Sequence, residues 1–299
     1  MASALPVLAL ALTALLLAGM APRLLARAHG LRRAPAAALA LWQVVGLTAV
    51  VCALLTAPAA VFALLEPGGT VPTFLGPTPR TTIGLTVAAV TSGGMLVLLL
   101  LSAHRVGREL RSRRRDQRHV VDLVASRSEG RLRVLDHPGR SAYCLPGLRS
   151  RVVLTQGTVS ALAPDELEAV MAHEQAHTRS RHDLILELFT VLHRSVPRWL
   201  RCEQALAEVQ LLVELLADRR AARRVGPAPL ARALVVMQGA GHPSATLGTD
   251  ASDSDVVVRV RALPHHTSRL PHPVAVPALT TAAVVTAAPW VLLLWATAA

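Results

Sequence analysis

No lysine occurs among the 299 residues, so the formal charge of +12 is carried wholly by arginine. That bias fits GC-rich coding better than a functional demand for positive charge. Aromatic residues are scarce at 3%, leaving Ala, Leu and Val to supply most of a 52% hydrophobic fraction. The three cysteines, Cys52, Cys144 and Cys202, are too few and too far apart for a disulfide framework or a thiolate zinc motif. They read as free, mostly buried thiols. No internal repeat is present.

What the chain has in quantity is long apolar sequence, with a mean hydropathy of +0.44. The apolar residues gather at the two ends and leave a charged middle, which suggests membrane spans around a water-facing domain. Residues 4–21 are uncharged and just long enough to cross a bilayer. A cleaved leader needs a basic n-region, which is missing, and Pro22 stands where cleavage should fall, so a retained anchor is expected. Further spans are expected at 36–65, with a bend or tilt near Pro58, at 82–103, and at 274–295, where Pro277 and Pro289 make the last one least regular.

Charge in the connecting segments sets the orientation. Arg23, Arg27, Arg32 and Arg33 lie between the first two spans, and seven arginines from Arg105 to Arg118 follow the third. Only Glu66 and Arg80 lie between the second and third. Arginine-rich loops stay in the cytoplasm, which places the large middle segment there and both termini outside. The same Arg run invites a nucleic-acid reading, but its place beside a span makes it a juxtamembrane contact with anionic lipid, and no direct nucleic-acid binding is expected. The expected division is 1–103 for three spans, 104–272 for a cytoplasmic domain and 273–299 for a fourth span.

Inside the middle segment, LRVL (132–135) and SRVVLT (150–155) look like short strands joined by a Gly/Pro-rich connection. Residues 184–200 and 203–224 read as helices, and 239–255 as a polar loop. Another helix begins at Pro164, with Asp165 and Glu166 in its first turn, although Ala163 stands where a capping Ser or Thr is expected. It runs into His173-Glu174-Gln175-Ala176-His177, an HExxH motif. Two histidines four residues apart share one helix face and can each give a ring nitrogen to a single zinc ion. Glu174, next to the first histidine, is placed to take a proton from a water acidified by that metal.

A third ligand is needed, and Glu214 is the candidate. Its helix, LLVELLAD, is apolar on nearly all sides, so a carboxylate there must be paired or bound to metal. A salt bridge to Arg219 or Arg220 is the plainer alternative. Asp218, one turn further on the same face, is placed to orient a ligating histidine. Asp183 is a rival third ligand, weakened because Ser180 replaces the glycine that a metzincin-like turn requires. His182 falls on the wrong face of a continuing helix and reads as a surface residue, while His265 and His266 read as a solvated pair in a loop.

HExxH followed about forty residues later by Glu214-Leu215-Leu216-Ala217-Asp218 resembles the gluzincin arrangement of the HtpX/CAAX-prenyl-protease clan. Within that clan the chain looks most like the BlaR/MecR-type membrane metallopeptidases, in a sensorless actinobacterial-like form. The resemblance is densest over AYCLPGLRSRVVLTQGTVSALAPDELEAVMAHEQAHTRSRHD, residues 142–183. It implies a mainly α membrane protein, with four transmembrane helices and a cytoplasmic α+β zinc peptidase domain carrying a short β-sheet. His173, His177 and Glu214 would hold Zn2+, Glu174 would be the base, and Asp218 would support the site. Val152, Val153, Leu154 and Thr155 would form a strand whose edge receives an extended substrate. Tyr143 is expected to pack rather than to act on substrate.

The implied activity is cleavage of a cytoplasmic protein, for instance a BlaI/MecI-like transcriptional repressor, from a multi-pass position in the plasma membrane. Quality control of membrane proteins in the manner of HtpX is the rival, and a non-catalytic scaffold the bland alternative. A loop of 66–80 is too short for a folded sensor, and no penicillin-binding domain follows the last span, so direct β-lactam sensing is not expected.

Overall fold

The computed structural model describes residues 4–65, 79–145, 150–238, 253–266 and 273–298. The chain starts with α1 (Ala4–Leu15), a five-residue π-helical turn at Leu16–Met20, and α2 (Ala21–Arg27). Pro22 lies just past the π-helical turn, inside one continuous helical run from Leu5 to Arg27. A short 3-10 helix at His29–Arg33 leads into α3 (Pro35–Leu65), which continues through Pro58. Then comes α4 (Pro79–Val124), 46 residues without a break. Near the far end, α11 (Ala275–Ala298) runs through Pro277 and Pro289. Four helical stretches, within 5–27, 35–63, 82–124 and 275–295, are long and apolar enough to cross a membrane. This is a mainly α membrane protein with a small mixed sheet. The expected outer loop of 66–80 falls largely outside the described residues, as does most of 239–255.

The helix that carries the third apolar stretch does not stop at Ala103. The helix continues for another 21 residues, carrying the arginine run as a solvated rod instead of a loop. Arg and Leu are both good helix formers, and no Gly-Pro pair interrupts them. Ion pairs to α7 (His182–Ser195) hold the rod in place: Arg114 to Asp183 at 3.1 Å, and Arg194 to Glu109 at 2.9 Å.

Four strands follow: β1 (Ala125–Glu129), β2 (Leu132–Leu135), β3 (Ala142–Leu145) and β4 (Arg151–Thr155). Their order is β1-β2-β4-β3, with β2 and β4 parallel and the outer pairs antiparallel. Two of these strands escape a reading of the sequence. β1 (ASRSE) has no apolar alternation to mark it, and β3 lies inside the stretch taken for a connection. Their presence also corrects the substrate-strand assignment. Val152, Val153, Leu154 and Thr155 lie in an interior strand paired on both sides, so that strand has no edge to offer. The free edge nearest the helices belongs to β3.

The remaining elements are α5 (Gln156–Ala161), α6 (Pro164–Arg179), α8 (Glu203–Val225), α9 (Pro227–Val236) and α10 (Asp253–His266). His265 and His266 therefore close a helix and do not sit in a loop. Ala163 cannot cap α6 with its side chain, but Glu166 reaches back to the Ala163 N–H at 3.1 Å, half of a capping box.

The largest core cluster joins domain and spans. Val209, Leu211, Leu212, Val213 and Leu215 of α8 pack with Phe189 of α7 against Ala38, Leu39 and Trp42 of α3. Trp42 and Phe189 meet edge to face at 6.3 Å. The all-round apolar character of α8 is thus explained: one side meets α6, the other the membrane helices. A bidentate pair reinforces the seam, with Arg32 Nε and Nη2 donating to Glu208 at 2.8 and 2.6 Å. Glu208 is buried, so Arg32→Ala strands a carboxylate and is expected to cost about 1–3 kcal/mol. Thermal melting in detergent checks this, and Glu208→Gln placed in the same chain should recover part of the loss.

Candidate metal centre

The centre forms where α6 crosses α8. On α6, His173 and His177 project from one face with their Nε2 atoms 3.1 Å apart. From α8, Glu214 brings Oε2 to 3.3 Å from His173 Nε2 and Oε1 to 3.4 Å from His177 Nε2. Four ligands at 2.0–2.1 Å around a tetrahedral zinc stand roughly 3.3–3.4 Å from one another. The three separations match that spacing, so the residues present fit the ion. Among the described residues this is the group of His, Cys, Asp and Glu able to hold a metal. Asp183 is not part of it; its carboxylate is engaged by Arg114 on the other side of the α6–α7 turn.

Around the triad the charges are partnered, and all but the partly exposed Glu214 are buried. Asp218, fully buried one turn beyond Glu214, lies 2.9 Å from His173 Nδ1, close but without ideal hydrogen-bond alignment. Burial opposes a charged His173, but Asp218 and Glu214 outweigh it and lift the imidazole to about 10. Burial, with the neighbouring Glu214 charge, pushes Glu174 up to about 7, only partly countered by His173, Arg259 and a backbone hydrogen bond from Cys144.

Two residues of the centre give no sign of themselves in the sequence. Arg259 of α10 is buried and spans both acids: Nε and Nη2 each donate to Asp218 at 2.8 Å, and Nη1 reaches Glu214 Oε2 at 3.2 Å. Burial resists ionised carboxylates, but Arg259 helps hold Asp218 down at about 2 and Glu214 well below the usual range. The cation beside Glu214 is thus neither Arg219 nor Arg220, the alternative partners, but comes from a helix more than forty residues away in sequence.

The second is His182, which is 1% exposed instead of being a surface residue. Helix α6 ends at Arg179, and Arg181 adopts a left-handed conformation (φ 47°, ψ 44°) that swings the chain back under the site. His182 Nδ1 then lies 3.2 Å from His177 Nδ1. Burial, with Arg220 nearby, depresses His182 to about 4, so it is neutral and can accept from His177. That contact fixes which nitrogen of His177 faces the metal position. Tyr143 packs against Val121, Leu145 and Val153, as expected.

The β3 edge faces this centre. Thr155 N–H donates to Ser141 O, and Tyr143 and Leu145 pair with Val153 and Arg151. Alternation in an antiparallel ladder then turns the main-chain groups of Ala142 and Cys144 away from β4, toward α6.

No curated protein and no solved structure matches the chain. Residues 108–240 match the model of peptidase family M48, and that span contains α6 and α8 with all three candidate ligands. With four helices fit to cross a bilayer and a His-His-Glu group able to hold a metal, the chain is a membrane-associated metallopeptidase whose matched segment is similar to family M48.

Proposed function

We propose that the chain is a multi-pass zinc endopeptidase whose catalytic side faces the cytoplasm. Its substrate would be a cytoplasmic protein, first of all a repressor of the BlaI/MecI sort cut as a step in signal relay. The observation that carries the catalytic part is the near-tetrahedral spacing of His173, His177 and Glu214. The arginines flanking α2 and α3 and those along α4 support the orientation.

Zinc in this triad would polarise the scissile carbonyl and acidify a water. The other roles belong to the chain itself. Glu174 takes the proton and hands it to the departing amine, held in position by the Cys144 main chain. Asp218 keeps His173 turned so that Nε2 points to the metal position, and His182 does the same for His177. Ala142 and Cys144 offer the main-chain edge on which an extended substrate lies.

One observation favours a second reading, HtpX-like removal of damaged membrane proteins. α8 packs directly on α3, which puts the centre against the ends of the spans, where a membrane protein's loops would arrive.

Glu174→Gln tests the catalytic assignment. The purified variant should keep its zinc and lose cleavage of itself or of casein by about 10²–10⁴-fold, the usual share of a general base. Unchanged cleavage would reject the assignment.

A further inference from the structure

The connector between α7 and α8, residues 196–202, does not stay beneath the spans. Leu200 Cδ2 occupies the space a side chain at Gly19 would need, 2.7 Å from where its Cβ would lie, and Leu192 does the same at Gly46. Ser195 Oγ donates to Ser102 Oγ at 3.2 Å. Arg23 ties the arrangement together, donating to Gly19 O at 2.8 Å and to Trp199 O at 3.4 Å.

These contacts fix the depth. Gly19 lies four residues inside Arg23, and Ser102 three residues inside Arg105, the charges that end the first and third apolar stretches. At a rise of about 1.5 Å per residue, the connector sits roughly 5 Å within the charged boundary. That is the zone where headgroups give way to hydrocarbon. Pro197, Arg198 and Trp199 are exposed there, Trp199 at 72%. Beside water such a tryptophan wastes apolar surface, whereas at a lipid interface it is favoured.

Beside Trp199 lies a partly open cleft of about 630 Å³ between α1, α3, α4, α7 and the connector. Leu15, Val45, Val50, Leu98, Phe189 and Leu206 represent its apolar lining, and Ser102, Arg194 and Ser195 mark its polar end. Such a volume lies within the roughly 300–1,000 Å³ of ligand pockets. Water would find few partners in it, and an empty space would forfeit dispersion contact along every wall. At this depth the abundant apolar chains are those of the bilayer itself. Arg194 is shared with Glu109, whereas no partner is seen for Arg198 among the described residues.

We propose that this cleft holds one acyl chain of an anionic phospholipid, with the phosphate at Arg198 and Trp199 against the glycerol region. The lipid then acts as a wedge between the first three spans and the helices α7 and α8. The inference rests on how α7 and the connector pack on the spans, and stands apart from the peptidase reading.

The test uses the full chain stripped of lipid in detergent and offered phosphatidylglycerol, with bound lipid counted by mass spectrometry of the intact protein. One lipid per chain should be retained. Ala53→Phe, which fills the cleft, should weaken retention by about tenfold or more, since even two displaced methylenes are worth that much. Arg198→Gln should weaken it about fivefold, and an uncharged diacylglycerol should bind correspondingly less. Zinc content should not change in either variant. Equal retention by the wild type and Ala53→Phe overturns the site.

Because Ala53→Phe could disturb folding, the unaltered chain supplies a second arm in vesicles containing phosphatidylglycerol with a photoreactive group midway along one acyl chain. Labels should concentrate on 42–53 and 192–206. Labelling only of outward residues such as Leu8, Leu85 and Val90 would show bulk lipid alone and end the proposal. Displacement of the label by an apolar transmembrane peptide, but not by phospholipid, would assign the cleft to a protein segment and overturn the proposal equally.

Discussion

Glu214→Ala is expected to leave the purified protein without bound zinc at stoichiometric supply, and with no cleavage above background. Glu214 is the only anion of the triad, and it alone ties α8 to both imidazoles, at 3.3 and 3.4 Å. Loss of a group that merely orients a ligand costs about 10–100-fold in metal affinity, so losing the ligand itself should exceed about 100-fold. The fold should survive, because Asp218 keeps its two bonds to Arg259 and the carboxylate leaves a site that is not sealed from water. Asp183→Ala is the matched control. Its carboxylate holds Arg114 on α4 and lies outside the cluster, so zinc content should stay at one per chain. Elemental analysis of both variants decides. Full zinc in Glu214→Ala together with loss in Asp183→Ala would move the third ligand to the α6–α7 turn.

The parts of this centre differ in how far the sequence reveals them, and the difference is physical. HExxH is legible because both histidines lie on one continuous helix, where spacing alone dictates the shared face. Glu214 and Asp218 are legible because a carboxylate amid LLVELLAD has no reason to be buried unless something answers its charge. His182 is hidden by a single left-handed residue. Continuing α6 past Arg179 turns His182 away from the site, and only the φ of 47° at Arg181 brings it back. The substrate edge is hidden for another reason. RVVLT has the stronger strand signal, but a strong apolar strand belongs in the interior of a sheet, and the short AYCL next to it takes the edge. α4 shows that the end of an apolar stretch and the end of a helix are separate things. Arginine breaks a membrane span without breaking a helix, so the apolar stretch ends near Ala103 while the rod goes on to Val124.

Arg259 is the residue whose loss should cost the protein most stability. Asp218 is fully buried, and Arg259 supplies both of its well-formed hydrogen bonds. Arg259→Met leaves that carboxylate facing only His173, with no cation of comparable reach. Breaking one side of a buried pair typically costs about 3–5 kcal/mol, and for a domain of this size that corresponds to a drop on the order of 10 °C in melting temperature. Arg259→Lys should recover little, because one ammonium cannot reproduce a two-point contact with Asp218 and a third contact with Glu214. Pairing Arg259→Met with Asp218→Asn separates charge from packing. Removing the orphaned anion should restore much of the melting temperature, yet zinc affinity should stay reduced, since Glu214 and His173 have both lost the neighbours that aim them. A single Arg259→Met variant melting within about 2 °C of the wild type would show that α10 only covers the centre. If it melts as expected and the double variant recovers, α10 is part of the metal site. The segment that precedes the fourth span then bears directly on the two carboxylates.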